Sequence, residues 1–153
     1  MLIRVGQIAP DFALKIGEKE FFLLNSLKGK KVVLYFYPKD NTPGCTKEAC
    51  EFRDMWTEIT QAGATVFGVS KDSADVHRFF KRKYNLPFTL LSDKEGRICE
   101  QYGVMVDKKY FGQVYKGIER TTFLIDKKGD ITAIWRKVKV KGHVLEVLTE
   151  ILK

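Results

Sequence analysis

Two rhythms of apolar residues run along the chain, one suited to strands and one to helices. Phe21-Phe22-Leu23-Leu24 is a short strand candidate, and Leu27-Lys28-Gly29-Lys30 reads as a turn before the next element. Lys31 to Tyr37 is rich in β-branched and aromatic residues and apolar on both faces, as a central strand covered on both sides must be. Pro38 ends it, and Lys39 to Gly44 is a loop of Asp, Asn, Thr, Pro and Gly. From about Cys45 to Gln61 the residues Cys45, Ala49, Phe52, Trp56 and Ile59 track one helical face, and Gly63 closes the segment. Ala64 to Val69 has the continuous apolar character of a buried strand. Ser73 can cap a helix through Tyr84, with Val76, Phe79, Phe80 and Tyr84 as its apolar stripe. Phe88 to Leu91 is a further strand candidate, and Asp93 can cap a brief helix that ends at Tyr102-Gly103. Val104 to Gly117 is aromatic and irregular and carries no readable period. Thr121 to Ile125 and Ile131 to Trp135 flank Lys127-Lys128-Gly129-Asp130, a hairpin signal. His143 to Lys153 is a closing helix with Val144, Leu145, Leu148, Ile151 and Leu152 on its buried side.

The order is strand, helix, strand, helix, then an antiparallel hairpin and a final helix. Alternating strands and helices call for a parallel sheet segment covered on both faces, and the hairpin adds antiparallel strands. The expected class is α/β, a mixed central sheet flanked by helices as in thioredoxin-like folds, with an N-terminal strand extension. No repeat, low-complexity segment or linker interrupts it, so residues 1–153 read as one domain.

Length and composition agree: 153 residues, 44% hydrophobic and 30% charged, suit one soluble globular domain. The longest apolar run, Val32 to Tyr37, is far below the roughly 18 residues of a membrane helix. The N-terminus has no charged segment followed by a long apolar stretch, so a cytoplasmic protein without a secretory signal is expected. Lys and Arg number 27 against 19 Asp and Glu, a net charge of +8. The densest basic stretch is Arg136-Lys137-Val138-Lys139-Val140-Lys141. It can serve as an anionic-partner patch. With no zinc-finger spacing and no RNP-type aromatic cluster beside it, it reads instead as a solvated edge, and neither nucleic acid nor membrane is an expected partner.

Three cysteines, Cys45, Cys50 and Cys99, are an odd number and make no structural disulfide framework. Cys45 follows a Pro-Gly turn at a helix N-terminus, where unpaired N–H groups and the helix dipole favour the thiolate, the reactive form. It also heads the apolar face, so it is expected to be sheltered. Thr42 lies three residues earlier in a loop pinned between Pro38 and Pro43, where its hydroxyl can cap the helix or bond whatever reaches the sulfur. Cys50 is five residues on, about 8.6 Å away between Cα atoms and rotated about 140° on a regular helix. A disulfide needs Cα atoms within about 7 Å. A Cys45–Cys50 bond therefore requires the first turns to unwind; otherwise Cys50 is a small residue on a solvated face with Lys47, Asp54, Thr57 and Gln61. The spacing is not the C-x-x-C of thioredoxin-type oxidoreductases, and the cysteines with His77 or His143 lack the ordered pairing of a zinc site. Both histidines read as surface or capping residues, and Cys99 as a packed core thiol.

Pro38-Lys39-Asp40-Asn41-Thr42-Pro43-Gly44-Cys45 resembles the P-x-x-x-T-x-x-C signature of the peroxiredoxins. The string from Phe36 through Cys45-Thr46-Lys47-Glu48-Ala49-Cys50 is similar to the bacterioferritin-comigratory-protein (PrxQ) subfamily. Gly6 to Phe12 resembles that family's opening, and Glu119-Arg120-Thr121-Thr122-Phe123 its arginine strand. The resemblance implies a thiol peroxidase without cofactor or metal. It makes Cys45 the peroxidatic cysteine, Thr42 the residue that holds the hydroperoxide, and Arg120 the guanidinium that stabilises thiolate and transition state. Pro38, Pro43 and Gly44 border the pocket. Cys50 matches the resolving cysteine of some members, which implies an intramolecular disulfide reduced by thioredoxin or a similar dithiol. It favours a monomer, with a dimer as the alternative. Roles for residues 108–117 do not follow from it. Two other readings keep the fold: a disulfide reductase or isomerase, and a basic interaction module acting through residues 136–141.

Overall fold

The computed structural model describes residues 3–16 and 20–153. Its centre is a five-stranded sheet built from β3 (Lys31–Phe36), β4 (Ala64–Ser70), β5 (Thr89–Ser92), β8 (Thr121–Ile125) and β9 (Ile131–Trp135), in the order β5-β4-β3-β8-β9. β3 runs parallel to β4, which runs parallel to β5; β8 is antiparallel to both β3 and β9. Residues 32–36 of β3 are all buried, because side chains on both of its faces meet cover. The mixed sheet expected from the sequence is present, with helices on its faces.

One face carries α1 (Pro43–Asp54), α2 (Trp56–Gln61), α3 (Ala74–Tyr84) and α5 (His143–Ile151), which meet Val33, Tyr35, Val66 and Leu124 through Ala49, Phe52, Ile59, Phe80, Val147 and Ile151. The other face is covered by α4 (Arg97–Gln101), through Ile98 and Cys99, and by the hairpin of β1 (Ala13–Lys15) and β2 (Phe21–Leu23). The N-terminal extension continues as a bridge from Ile8 to Asp130 beside β9. Gly68 in β4 sits opposite Tyr35, and a Cβ there would lie 2.9 Å from the Tyr35 ring. The missing side chain makes room for that buried phenol.

Four details depart from the sequence pattern. The long helix is two, with Met55 (φ −99°, ψ 8°) between α1 and α2 and its N–H shared by the Glu51 and Arg53 carbonyls. Residues 104–117, which carried no period, contain the antiparallel hairpin of β6 (Met105–Tyr110) and β7 (Gln113–Ile118), turning at Phe111 and Gly112 with φ of 49° and 77°. Positive φ at both central residues is the geometry of a tight two-residue hairpin turn, and a phenylalanine at the first hid it. In α3 the buried residues are His77 and Phe80, while Val76 and Phe79 are exposed. In α5 they are His143, Val144, Val147, Leu148 and Ile151, while Leu145 and Leu152 are exposed. Both faces differ from the apolar pattern for one reason: a histidine lies on the buried stripe and rotates the face by one residue.

Candidate active site

β3 delivers the chain to the site. Tyr37 N–H donates to the Val69 carbonyl, holding the strand's end against β4, and the chain then turns through residues 38–42 into α1. Thr42 is the N-cap residue (φ −83°, ψ 152°), and its carbonyl accepts the Thr46 N–H at 2.9 Å. Its hydroxyl does not cap the helix; it donates to the Lys39 carbonyl at 2.8 Å and so braces the loop. Pro43 is the first helical residue, where a missing N–H costs nothing. Gly44 and Cys45 follow, with N–H groups that the helix itself leaves unpaired.

Cys45 is 2% exposed, and Arg120 Nη2 donates to its sulfur at 3.4 Å. Arg120 comes from the short link between β7 and β8, and its carbonyl accepts the Val138 N–H. Its other nitrogen, Nη1, donates to Glu48 Oε1 at 2.7 Å. A Cβ on Gly44 would lie 3.1 Å from Arg120 Nη2, so glycine there lets the guanidinium reach the sulfur. Gly44, Cys45 and Arg120 are thus brought to one spot, with Thr42 at the N-cap of the same helix. Pro38 is half-buried and Pro43 exposed at the rim. Cys50 is half-buried and free, farther along α1.

Glu48 belongs to this site, and sequence reasoning passed over it. Its side chain is fully buried one turn beyond Cys45. Burial pushes its carboxyl up to about 7, against the pull of Arg120 in the opposite direction. Its Oε2 has no hydrogen-bond partner, and neither has the buried Tyr35 hydroxyl. Burial, then the charges at Glu48 and Cys45, raise the Tyr35 phenol well above its ordinary value. For Arg120, burial works against the charge, and Glu48 and Cys45 more than offset it. His143, whose Nε2 lies 2.8 Å from Thr122 Oγ1, is pushed down to about 4 by burial and then by Arg120. The available signal for Glu48 was a carboxylate on the same helical stripe as Cys45, Ala49 and Phe52. Lys108 of β6 also senses the site: burial and Arg120 lower its ammonium, while Cys45 acts to raise it.

Among the described residues, Asp40, Asp72 and His77 are a group whose ligand atoms converge within 4.8 Å. His77 Nδ1 and Asp40 Oδ2 are 2.6 Å apart, a hydrogen-bond spacing. Two ligand atoms bonded to a tetrahedral zinc at about 2.0 to 2.1 Å stand roughly 3.3 Å apart. The gap holds a proton. Neither His77 nor His143 is a surface residue; both are buried, each tied to a polar partner.

Residues 5–134 match the model of the AhpC/TSA family. The chain belongs to that family. Within it, this peroxiredoxin is of the Bcp (PrxQ) type, and it is therefore a thiol peroxidase. It is 66% identical over 148 residues to a putative peroxiredoxin bcp of Coxiella burnetii, covering 97% of this chain and 98% of the other. Peroxiredoxin Bcp of Bacillus subtilis is 54% identical over 148 residues, 97% of this chain and 94% of the other. Among solved structures, the peroxiredoxin resembles the bacterioferritin comigratory protein of Xanthomonas campestris, a protein with alkyl peroxide reduction activity. The TM-score is 0.82 and the identity 40%, over 86% of this chain and 83% of that one. A cysteine-to-serine variant of Xylella fastidiosa PrxQ gives a TM-score of 0.87 at 35% identity, over 99% and 96% of the two chains. The thioredoxin-like peroxiredoxin fold is shared with these solved structures. No helix among the described residues is long and apolar enough to cross a membrane.

Proposed function

We propose that this peroxiredoxin reduces hydrogen peroxide and organic hydroperoxides through Cys45, with Cys50 as resolving cysteine and a thioredoxin-like dithiol as reductant. The observation that carries the reading is the guanidinium of Arg120, anchored on Glu48 and 3.4 Å from a sulfur in the first turn of α1. Arg suits a place beside a nucleophilic sulfur because its donors are splayed and its charge is permanent.

In the first step the Cys45 thiolate attacks the terminal oxygen of ROOH. An S–O bond forms, the O–O bond breaks, and RO⁻ leaves and takes a proton to become ROH. Arg120 and the Gly44 and Cys45 N–H groups face the oxygens as charge grows there, and lower the barrier as preorganised donors do. Thr42 contributes as an acceptor: its single hydroxyl proton is committed to Lys39, leaving its lone pairs for the O–H of the hydroperoxide. Cys45 becomes a sulfenic acid. It condenses with the Cys50 thiol, forming the S–S bond and releasing water. Both cysteines lie within the regular helix α1. About 8.6 Å between Cα atoms five residues apart exceeds disulfide reach, so the first turns of α1 unwind before closure. A dithiol then returns both thiols and is itself oxidised to a disulfide. The reading also has the enzyme act in the cytoplasm as a monomer.

Peroxide consumption coupled to a thioredoxin system tests the assignment. Cys45→Ser is expected to abolish turnover. Cys50→Ser is expected to react once with peroxide and then to recycle poorly. Undiminished turnover in Cys45→Ser overturns the assignment, and undiminished recycling in Cys50→Ser overturns the choice of resolver.

A further inference from the structure

A second buried cluster lies at the start of the active-site loop and has no part in the chemistry above. Asp40 and His77 pair through Oδ2 and Nδ1 at 2.6 Å, with side chains 0% and 4% exposed respectively. Tyr37 Oη donates to Asp40 Oδ1 at 2.5 Å, and Asp40 N–H donates to Asp72 Oδ2 at 2.8 Å. Asp72 is itself fixed, since Ser70 Oγ donates to Oδ2 at 2.7 Å and Ser92 Oγ to its carbonyl at 2.5 Å. His77 Nε2 lies 3.1 Å from the Leu91 carbonyl, which can only accept, so that nitrogen carries a proton. With the Asp40 carboxyl on its other side, the ring has an acceptor at each nitrogen. A buried pair of this kind costs desolvation, and losing one partner strands the other.

The cluster divides the loop. Up to Asp40 the chain is tied from inside to β3, to the segment after β4 and to α3. Between Asp40 and α1 the tie is at the surface, and the next buried hold is Arg120 on Cys45 and Glu48 within the helix. Asn41 is exposed with φ of 63°, a left-handed conformation that asparagine tolerates, and the exposed Thr42–Lys39 bond of 2.8 Å is the brace across it. The two halves of the proposed cycle make opposite demands on this loop. Peroxide attack needs Thr42, Gly44 and the start of α1 held still, whereas disulfide closure needs α1 to unwind.

We propose that Asp40 and His77 are positioning residues for peroxide attack, clamping the loop up to Asp40, and that Asn41 is the hinge beyond which α1 unwinds. This rests on the assignment of Cys45 as attacking sulfur and Cys50 as its resolver. Breaking the clamp slows attack without slowing closure, because the motion that closure requires begins after the clamped segment.

Rapid mixing with hydrogen peroxide, acid quench, alkylation and mass analysis follows Cys45 oxidation and Cys45–Cys50 closure separately in the full chain. Asp40→Asn and His77→Leu are expected to oxidise about 10- to 100-fold more slowly, as small misplacements of reacting groups cost. Closure of the sulfenic acid is expected at the wild-type rate or faster. His77→Asn, whose amide N–H can still face Asp40, is expected to recover much of the loss. Tyr37→Phe removes one bond and no charge, keeps the test available if the stronger variants fail to fold, and is expected to slow attack less. Wild-type oxidation rates in Asp40→Asn, His77→Leu and Tyr37→Phe overturn the proposal. So does an equal slowing of both steps that tracks the loss of melting temperature, the mark of general loosening. If Cys45 of the wild-type protein does not react with peroxide at all, the peroxidase assignment itself fails and the clamp's role with it.

Discussion

Two helices of this peroxiredoxin carry a buried cysteine as their third residue: Cys45 in α1, and Cys99 in α4. Both sulfurs are within 2% of complete burial, and both lie in a first helical turn. Their neighbours differ in sign. Cys45 receives a guanidinium N–H from Arg120. Cys99 sits by Asp93, whose carboxylate accepts the Cys99 backbone N–H at 2.7 Å. Burial, and then the hydrogen bond and charge of Asp93, drive the Cys99 thiol far above its ordinary range. A helix N-terminus therefore does not by itself make a reactive sulfur. On the function proposed above, what separates the two is the charge supplied from outside the helix, and in α1 that charge arrives from the link before β8, whose Thr121 pairs with Phe36 at the end of β3.

The contrast breaks most simply by removing each sulfur. Cys45→Ser is expected to eliminate peroxide turnover and Cys99→Ser to leave it near wild type; equal loss in both would erase the distinction. Next comes the charge itself. Arg120→Met is expected to slow peroxide reduction by about 10²- to 10³-fold, the usual cost of one preorganised donor. Arg120→Lys should recover only part, since an ammonium cannot hold Glu48 and the sulfur in one planar fork. The mirror experiment, Asp93→Asn, is expected to leave Cys99 slow toward iodoacetamide, because burial is the larger cause of its inertness.

Glu48 sharpens the comparison through stability. Its carboxyl holds its proton to about 7 in the folded state, above the ordinary 4.5 of a free side chain. The folded protein thus binds this proton more tightly than the unfolded chain. The stability it contributes is fully present below 4.5 and is lost as the pH rises to about 7 and beyond. His143, pushed down to about 4 from 6.5, has the opposite slope and loses stability as the pH falls. Denaturant titrations of wild type and Glu48→Gln at pH 4.5 and 8 share the His143 effect and isolate Glu48. The wild type is expected to lose on the order of 3 kcal/mol relative to the variant across that range. No difference in slope would mean that Glu48 ionises freely beside Arg120. The smallest effect belongs to Gly44→Ala: its Cβ would lie 3.1 Å from Arg120 Nη2, which needs to give by only a few tenths of an ångström, so attack is expected to slow by less than about 10-fold.

How far the sequence reveals this molecule depends on the distance between partners. The central strand, the β8–β9 hairpin and the position of Cys45 follow from residues next to one another in the chain. So do the loop prolines and Thr42, although its hydroxyl braces the loop instead of capping the helix. Glu48 escaped notice because its partner, Arg120, is 72 residues away. His77 and Asp40 are separated by 37 residues, and a local pattern assigns an isolated histidine to the surface. His143 misled in the same way, its partner Thr122 lying 21 residues back on β8. The β6–β7 hairpin was hidden because its turn places a phenylalanine at positive φ, where glycine or asparagine is the readable sign.

The most direct test is to treat the reduced protein with one equivalent of hydrogen peroxide, alkylate the remaining thiols and map the oxidised sulfurs by mass. The account expects Cys45 to be consumed first and to reappear bonded to Cys50, with Cys99 still free. Cys45 recovered as a free thiol while another cysteine is oxidised would contradict it.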